Sequence, residues 1–316
     1  MKPAPFAYHR PATVTEAVAM LGEYGEEAKI LAGGQSLVPM LAMRLTHFEN
    51  LIDISRLPEL NDIALQDNEV RIGAATPHAL VGLDDEIAES VPLLTLATPH
   101  IGHFQIRSRG TLGGAIAHAD PAAEYAAVAL ALDATIEATS ARGVRQIPAA
   151  EFFTGLWETS LAPDEILTAV RFPVASGRSG FGIAEFARRH GDFAIAGAVV
   201  GFELDEDDRI TRCGIGLLGL GSTPLRAAPA EAAVLGTPIG GITADEIAGW
   251  PCPNSPTFLP ICRVRRPTGR GSRRHGVPSL EPGRHARHHR GDPQCMNCRL
   301  HFRSTVVITR TSSNPG

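Results

Sequence analysis

Two glycine pairs about eighty residues apart constrain this chain more than any other feature: Leu31-Ala32-Gly33-Gly34-Gln35-Ser36-Leu37 and Arg109-Gly110-Thr111-Leu112-Gly113-Gly114. A residue without a β-carbon lets backbone come close to a ligand, and the hydroxyl and amide side chains beside each pair can donate to an anion. Residues 28–32 read as a short buried strand and 37–45 as an apolar helix with Pro39 in its first turn, where a missing N–H costs nothing. The first loop is therefore a strand-to-helix turn whose free N–H groups face whatever lies above the strand. After the second pair come Ala115-Ile116-Ala117-His118-Ala119-Asp120-Pro121 and an Ala-rich helix over about 122–132, with Arg107 and Arg109 upstream adding positive charge. A lone glycine pair is usually a tight turn. Two with these surroundings point to one diphosphate held between them, so that a side chain at Gly33 or Gly114 would occupy the space of its oxygens.

The usual nucleotide fingerprints do not account for these loops. No G-x-x-x-x-G-K-[ST] occurs, which removes the P-loop reading. A formal G-x-G-x-x-G exists at Gly214, Gly216 and Gly219, but it continues a strand after a hairpin turn at 205–208. Ser222-Thr223-Pro224 follows it, so no helix is placed to receive a pyrophosphate.

Several segments in order carry a family resemblance: Ala32-Gly33-Gly34-Gln35-Ser36-Leu37, Ile106-Arg107-x-Arg109-Gly110-Thr111-Leu112-Gly113-Gly114, and Ala119-Asp120-Pro121-Ala122-Ala123-Glu124. With Pro5-Phe6-Ala7-Tyr8, the Thr13-x-x-Glu16 capping box and Arg188-Arg189-His190-Gly191-Asp192-Phe193-Ala194, the chain resembles the FAD-binding medium subunits of molybdenum hydroxylases from its start to about residue 249. That group includes the carbon-monoxide dehydrogenase medium subunit and the flavin domain of xanthine dehydrogenase.

The resemblance implies an α+β chain: a two-subdomain FAD-binding fold of the p-cresol methylhydroxylase or vanillyl-alcohol oxidase type, then a smaller C-terminal α+β domain. It further implies that the backbone at Ala32, Gly33, Gly34 and Gln35, with the Ser36 side chain, contacts the diphosphate and ribityl chain. Thr111, Gly113 and Gly114 close from the other side, and Ile101 packs against the flavin. Asp120 and Glu124 match positions near the ribityl or adenosine hydroxyls, where an ionised, acceptor-only carboxylate suits a diol. Many members have Asn after the second glycine pair where this chain has Ala115, which removes one side-chain contact. His100, His103 and His118 have no common metal spacing, and no His or Cys is evidently placed for covalent attachment, so FAD is expected to be noncovalent and no metal site is expected.

The same resemblance implies partners: a large subunit with the molybdenum cofactor and a small subunit with 2Fe–2S clusters, from which electrons reach FAD here. Cys213 is the only cysteine before residue 250, so this part of the chain cannot supply a four-thiolate cluster alone. No protein nucleophile or acid–base pair stands out, and no catalytic residue is expected. The alternatives are a free-standing flavin oxidase or dehydrogenase of the same fold, and a non-enzymatic nucleotide-binding module with a nucleic-acid-binding tail.

Composition separates two regions. The chain of 316 residues has a net charge of −5, yet from Pro251 onward there are twelve arginines, no lysine, and only Glu281 and Asp292 as acids. Cys252, Cys262, Cys295 and Cys298 also fall there. Such a tail fits disorder or an out-of-frame translation of a GC-rich coding region better than a nucleic-acid arm or a zinc site, since one C-x-x-C lacks a second ligand pair and the preceding chain is acidic. No run of 18 apolar residues and no signal-peptide pattern occurs, so a cytoplasmic protein without a transmembrane segment is expected.

The organisation that follows is a first subdomain over 1–57, a second over 58–176, a C-terminal domain over 177–250, truncated relative to the family, and the basic tail over 251–316. The pattern predicts a hairpin at Asp67-Asn68, a helix over 84–98, strands over 134–138 and 166–172, and a linker at 176–180. Antiparallel strands over 181–187, 194–204 and 209–218 come next, then a helix over 229–235 stopped by Gly236.

Overall fold

A computed structural model describes residues 2–241 and the backbone of the strand Thr305–Arg310. The first unit comprises β1 (Ala7–His9), α1 (Val14–Tyr24), β2 (Ala28–Leu31), α2 (Leu37–Ala42) and β3 (Asn50–Asp53), with the strands parallel in the order β1-β3-β2. Thr13 caps α1 by accepting from the Glu16 N–H at 3.1 Å. Glu16 reaches back to the Ala12 N–H at 2.6 Å, one residue before the expected partner. Ala17, Val18 and Leu21 on one face of α1 bury against Ile52 and Ile54. Helix α2 stops short of the expected residue 45, and Arg44 follows in the left-handed region at φ 58°.

The second unit holds β4 (Ile63–Gln66), β5 (Glu69–Gly73), α3 (His78–Val81), α4 (Asp85–Ser90), α5 (Pro92–Ala97), α6 (Phe104–Arg107), α7 (Leu112–His118) and α8 (Glu124–Ala131). Strands β6 (Thr135–Ser140) and β7 (Gly143–Pro148), α9 (Ala149–Phe152), the ribbon β8 (Phe153–Gly155) and β9 (Glu158–Thr159), and β10 (Ile166–Pro173) complete it. Asp67 and Asn68 both have positive φ, 50° and 65°, which matches the twist of a two-residue hairpin joining β4 and β5. The helix expected over 84–98 is two helices, because Pro92 cannot donate and Val91 before it leaves helical geometry. The sheet order is β4-β5-β10-β6-β7, all antiparallel.

A third sheet contains β11 (Arg178–Phe186), β12 (Ala196–Leu204), β13 (Ile210–Leu218) and β14 (Leu225–Arg226), followed by α10 (Ala228–Val234). Its far edge is β15 (Thr305–Arg310), antiparallel to β11. The expected linker ends early, since residues 178–180 already belong to β11. The rest of the basic tail, with its expected disorder or frameshift, lies outside the described residues.

Helix α8 holds the sheets together. Tyr125 to Ala131 are buried all round, and the G-x-G of the false fingerprint lies on β13 beneath them. A β-carbon on Gly214 would sit 1.8 Å from the Ala131 carbonyl oxygen, and one on Gly216 would sit 2.2 Å from that of Ala127. These glycines therefore permit close helix–strand packing. The end of α8 is closed by arginines from the third sheet: Arg226 donates to the Leu130 carbonyl at 3.2 Å and Arg212 to that of Leu132 at 3.0 Å.

Candidate cofactor-binding site

The first glycine loop leaves β2 with Gly34 at φ 70°. Among the described residues, the backbone N–H groups of Gly33, Gly34, Gln35 and Ser36 donate to no protein acceptor. Successive unpaired N–H groups in a turn form an anion-binding concavity. The Gln35 side chain turns back to donate to the Gly33 carbonyl at 3.2 Å, bracing the loop. Ser36 is half-buried, and its side chain makes no capping bond.

The second loop reaches the first directly. A β-carbon on Gly33 would lie 2.2 Å from the Arg109 carbonyl oxygen and 2.6 Å from the Gly110 α-carbon, while one on Gly114 would lie 3.4 Å from the Ala32 side chain. Most N–H groups of this loop are already used. Leu112 donates to Thr76 and Gly113 to Ala74, and the Gly114 N–H donates to the Thr111 hydroxyl at 3.1 Å as the N-cap of α7. Gly113 is buried against Ala74, where a β-carbon would come within 2.5 Å, so its glycine answers to packing in this structure.

His78 supports the loop from below. Its N–H donates to the Gly110 carbonyl at 2.8 Å, and its ring lies against Gly110 and pairs edge-on with Tyr125 at 5.1 Å. Burial, with the Arg107 charge, lowers its pKa to about 4, so the imidazole is neutral. Arg107 donates to the Ile101 and Gly102 carbonyls at 3.1 and 2.8 Å, fixing the turn before α6. Ile101 packs half-buried on the main core.

Asp120 accepts from the Ala122 N–H at 2.8 Å and so braces the entry to α8. Glu124, the first residue of α8, departs from the expected ionised carboxylate: burial, reinforced by the Glu185 charge, pushes it up to about 7. Near it, His100 Nδ1 stands 3.4 Å from Glu185 on β11. Sequence reasoning missed Glu185, because nothing in the alternation of β11 marks a strand carboxylate that meets a histidine 85 positions earlier. Among the described residues, no group of three His, Cys, Asp or Glu side chains is arranged to hold a metal ion, and burial pushes the Cys213 thiol up to about 12. No helix among them is long and apolar enough to cross a membrane.

A parallel-stranded unit and an antiparallel unit meeting through two touching glycine loops, with a third sheet behind, define a cofactor-carrying flavoprotein architecture. The chain belongs to the family described as the FAD-binding domain in molybdopterin dehydrogenase, which matches residues 4–175, followed by the CO dehydrogenase flavoprotein C-terminal domain over 183–249. It is an oxidoreductase subunit of the medium, FAD-binding type. It is 44% identical over 231 residues to the 6-hydroxypseudooxynicotine dehydrogenase complex subunit alpha of Paenarthrobacter nicotinovorans, covering 73% of this chain and 78% of that protein. The carbon monoxide dehydrogenase medium chain of Afipia carboxidovorans is 37% identical, over 75% of this chain and 82% of its own length. Among solved structures, the carbon monoxide dehydrogenase of Hydrogenophaga pseudoflava lacking the Mo-pyranopterin moiety superposes with a TM-score of 0.75 at 38% identity, covering 79% of this chain and 85% of that one.

Proposed function

We propose that this chain holds FAD noncovalently between its two glycine loops and relays electrons from iron–sulfur clusters on a small partner subunit to an external acceptor. The clusters would be filled from a molybdenum cofactor on a large subunit, in a cytoplasmic complex. The carrying observation is that Gly33 lies against the Arg109–Gly110 backbone while the N–H groups of the first loop donate to no protein acceptor among the described residues. Ala32, Gly33, Gly34, Gln35 and Ser36 would hold the diphosphate, with Thr111 and Gly114 opposite and Gly113 fixing α7 beneath them. Asp120, Glu124 and Ile101 would line the remainder. Bound FAD supplies a two-electron store, and the protein positions it and sets the charge around it. Naming of the relatives as complex subunits or medium chains favours a carrier over a free-standing oxidase.

Purification with the co-expressed partners should yield a yellow complex. Acid precipitation should release the flavin into the supernatant, and flavin retained on the pellet would contradict noncovalent binding. Addition of the complex's organic substrate without acceptor should bleach the flavin. A complex whose iron–sulfur centres are reduced while the flavin stays oxidised would overturn the relay.

A further inference from the structure

The β8–β9 ribbon turns on Leu156 and Trp157, which are 54% and 55% exposed. Trp157 has a positive φ of 58°, uncommon for a bulky residue and a kind of conformation that collects at ligand clamps. Behind the turn, Phe153 anchors the ribbon by packing edge-on to the buried Phe152 at 5.2 Å. The indole reaches across to the last residue of α7, His118, whose ring lies nearly parallel to it, with 11° between the planes and 6.3 Å between the centroids. That separation is near the wide limit for a direct aromatic pair, so the indole is not spent on the imidazole.

This pair stands beside the glycine-loop cradle. Gly114 and His118, four residues apart and both half-buried, share one face of α7, while Leu112, Gly113 and Ile116 take the buried face. Along the helix axis they are about 6 Å apart, roughly the span of the ribose between a diphosphate and its base. At the near end, a β-carbon on Gly114 would lie 3.4 Å from the Ala32 side chain in the first loop. At the far end, the charge of Lys29, on the strand that leads into the first loop, acts on His118. Asp120 follows two residues later, with one carboxylate oxygen taken by the Ala122 N–H. Burial lowers the pKa of His118, so its ring is uncharged at neutral pH.

We propose that Trp157 at the ribbon turn and His118 at the end of α7 hold the adenine ring of the dinucleotide whose diphosphate lies between the glycine loops. This rests on the reading of the chain as an FAD carrier and assigns the adenosine half of the cofactor to the ribbon. Trp157 supplies a wide flat face and His118 a second ring beside it, while the free oxygen of Asp120 accepts from a ribose hydroxyl. Stacking of this kind needs only a planar base and reads none of its edges.

FAD and FMN separate this role from any other that Trp157 could have, because FMN carries the flavin and a phosphate without the adenosine. In titrations of the flavin-free full chain, Trp157→Ala should lose about tenfold in FAD affinity, Trp157→Phe should stay close to wild type, and FMN affinity should be the same in all three. Unchanged FAD affinity in Trp157→Ala, or an equal loss for FMN, would overturn the adenine assignment and leave the FAD reading standing. The chain has two tryptophans, Trp157 and Trp250, so a Trp250→Phe protein reports the emission of Trp157 alone. ADP, which has the adenosine and diphosphate but no flavin, should quench that emission saturably, and its failure to do so would overturn the proposal. Wild-type protein that binds no FAD would overturn the FAD reading, whereas the ADP titration would still decide whether Trp157 meets a base.

Discussion

Gly33 and Arg109 approach so closely that a β-carbon on the glycine would stand 2.2 Å from the arginine's carbonyl oxygen. The sequence suggested that this space belongs to a ligand. In the structure the other loop's backbone claims it first, and a Cβ there must push the two loops apart.

Gly33→Ala is therefore expected to cost about 1–3 kcal/mol as an overpacking change and to lower flavin affinity at least tenfold. Gly22→Ala is the control, since a β-carbon at Gly22 meets nothing within 4 Å and the residue lies inside α1. It should be neutral or slightly stabilising. Thermal melts and the flavin-to-protein absorbance ratio read both, and full flavin occupancy in Gly33→Ala would refute the loop-contact argument.

Thr111→Val removes the hydroxyl that accepts from the Gly114 N–H. Loss of this cap should destabilise the protein by about 0.5–2 kcal/mol and weaken flavin binding by loosening the second loop. Thr111→Ser keeps the acceptor and should stay close to wild type in urea titrations. Wild-type stability and flavin affinity in Thr111→Val would show that this cap contributes nothing.

Glu137 bridges two strands, accepting from Arg71 at 3.1 Å and Arg171 at 2.5 Å with its side chain 8% exposed. Burial alone would raise its pKa, but the two guanidinium groups outweigh it and hold the carboxyl below the usual range. A depressed folded-state pKa gives stability that is present above the unfolded value and lost as pH falls through the folded one. Wild-type stability should thus drop below about pH 4, whereas Glu137→Gln should be less stable near neutrality and show a flatter acid limb. Parallel acid limbs would rule Glu137 out as a source of the slope.

His78 acts in a different window. With its folded pKa at about 4 and an unfolded value of about 6.5, the unfolded chain binds more protons between those pH values, so stability rises with pH across them. His78→Leu should lose that component of the slope, and its flavin affinity should become less sensitive to mild acid. Measuring unfolding free energy at pH steps through this range checks it, and an unchanged slope would mean that His78 titrates normally.

The local signals that could be read from the sequence were those carried by backbone chemistry. Pro39 at the start of α2 has a fixed φ, while Asp67-Asn68 in a two-residue hairpin and Gly236 after α10 tolerate the positive φ their turns need, so position followed from identity. The break at Val91–Pro92 was also written in the chain, yet the apolar periodicity on either side masked it. What stayed illegible depends on which elements meet. The contact of Gly33 with Arg109, the pairing of His100 with Glu185 and the seating of Gly214 under Ala131 join residues 76 to 85 positions apart, and each residue alone has an ordinary local explanation. Glu124 illustrates the limit: a carboxyl near a diol was expected to be ionised, and its burial, with the nearby charges of Glu185 and Asp120, raises it.

The core that wraps α8 continues without interruption from Val70 and Ile72 on β5 to Phe181, Val199 and Leu218 in the third sheet. A chimera cut at residue 176, between the two family segments, would therefore divide a single packed interior and leave α8 facing foreign strands. Modular exchange with a relative should succeed only when α8 travels with β11–β13. For the same reason α8 and the sheets it joins should melt together as one cooperative body, while the first glycine loop stands on a unit with its own core around Ile52 and Ile54, so the two loops can part without opening the interior beneath α8.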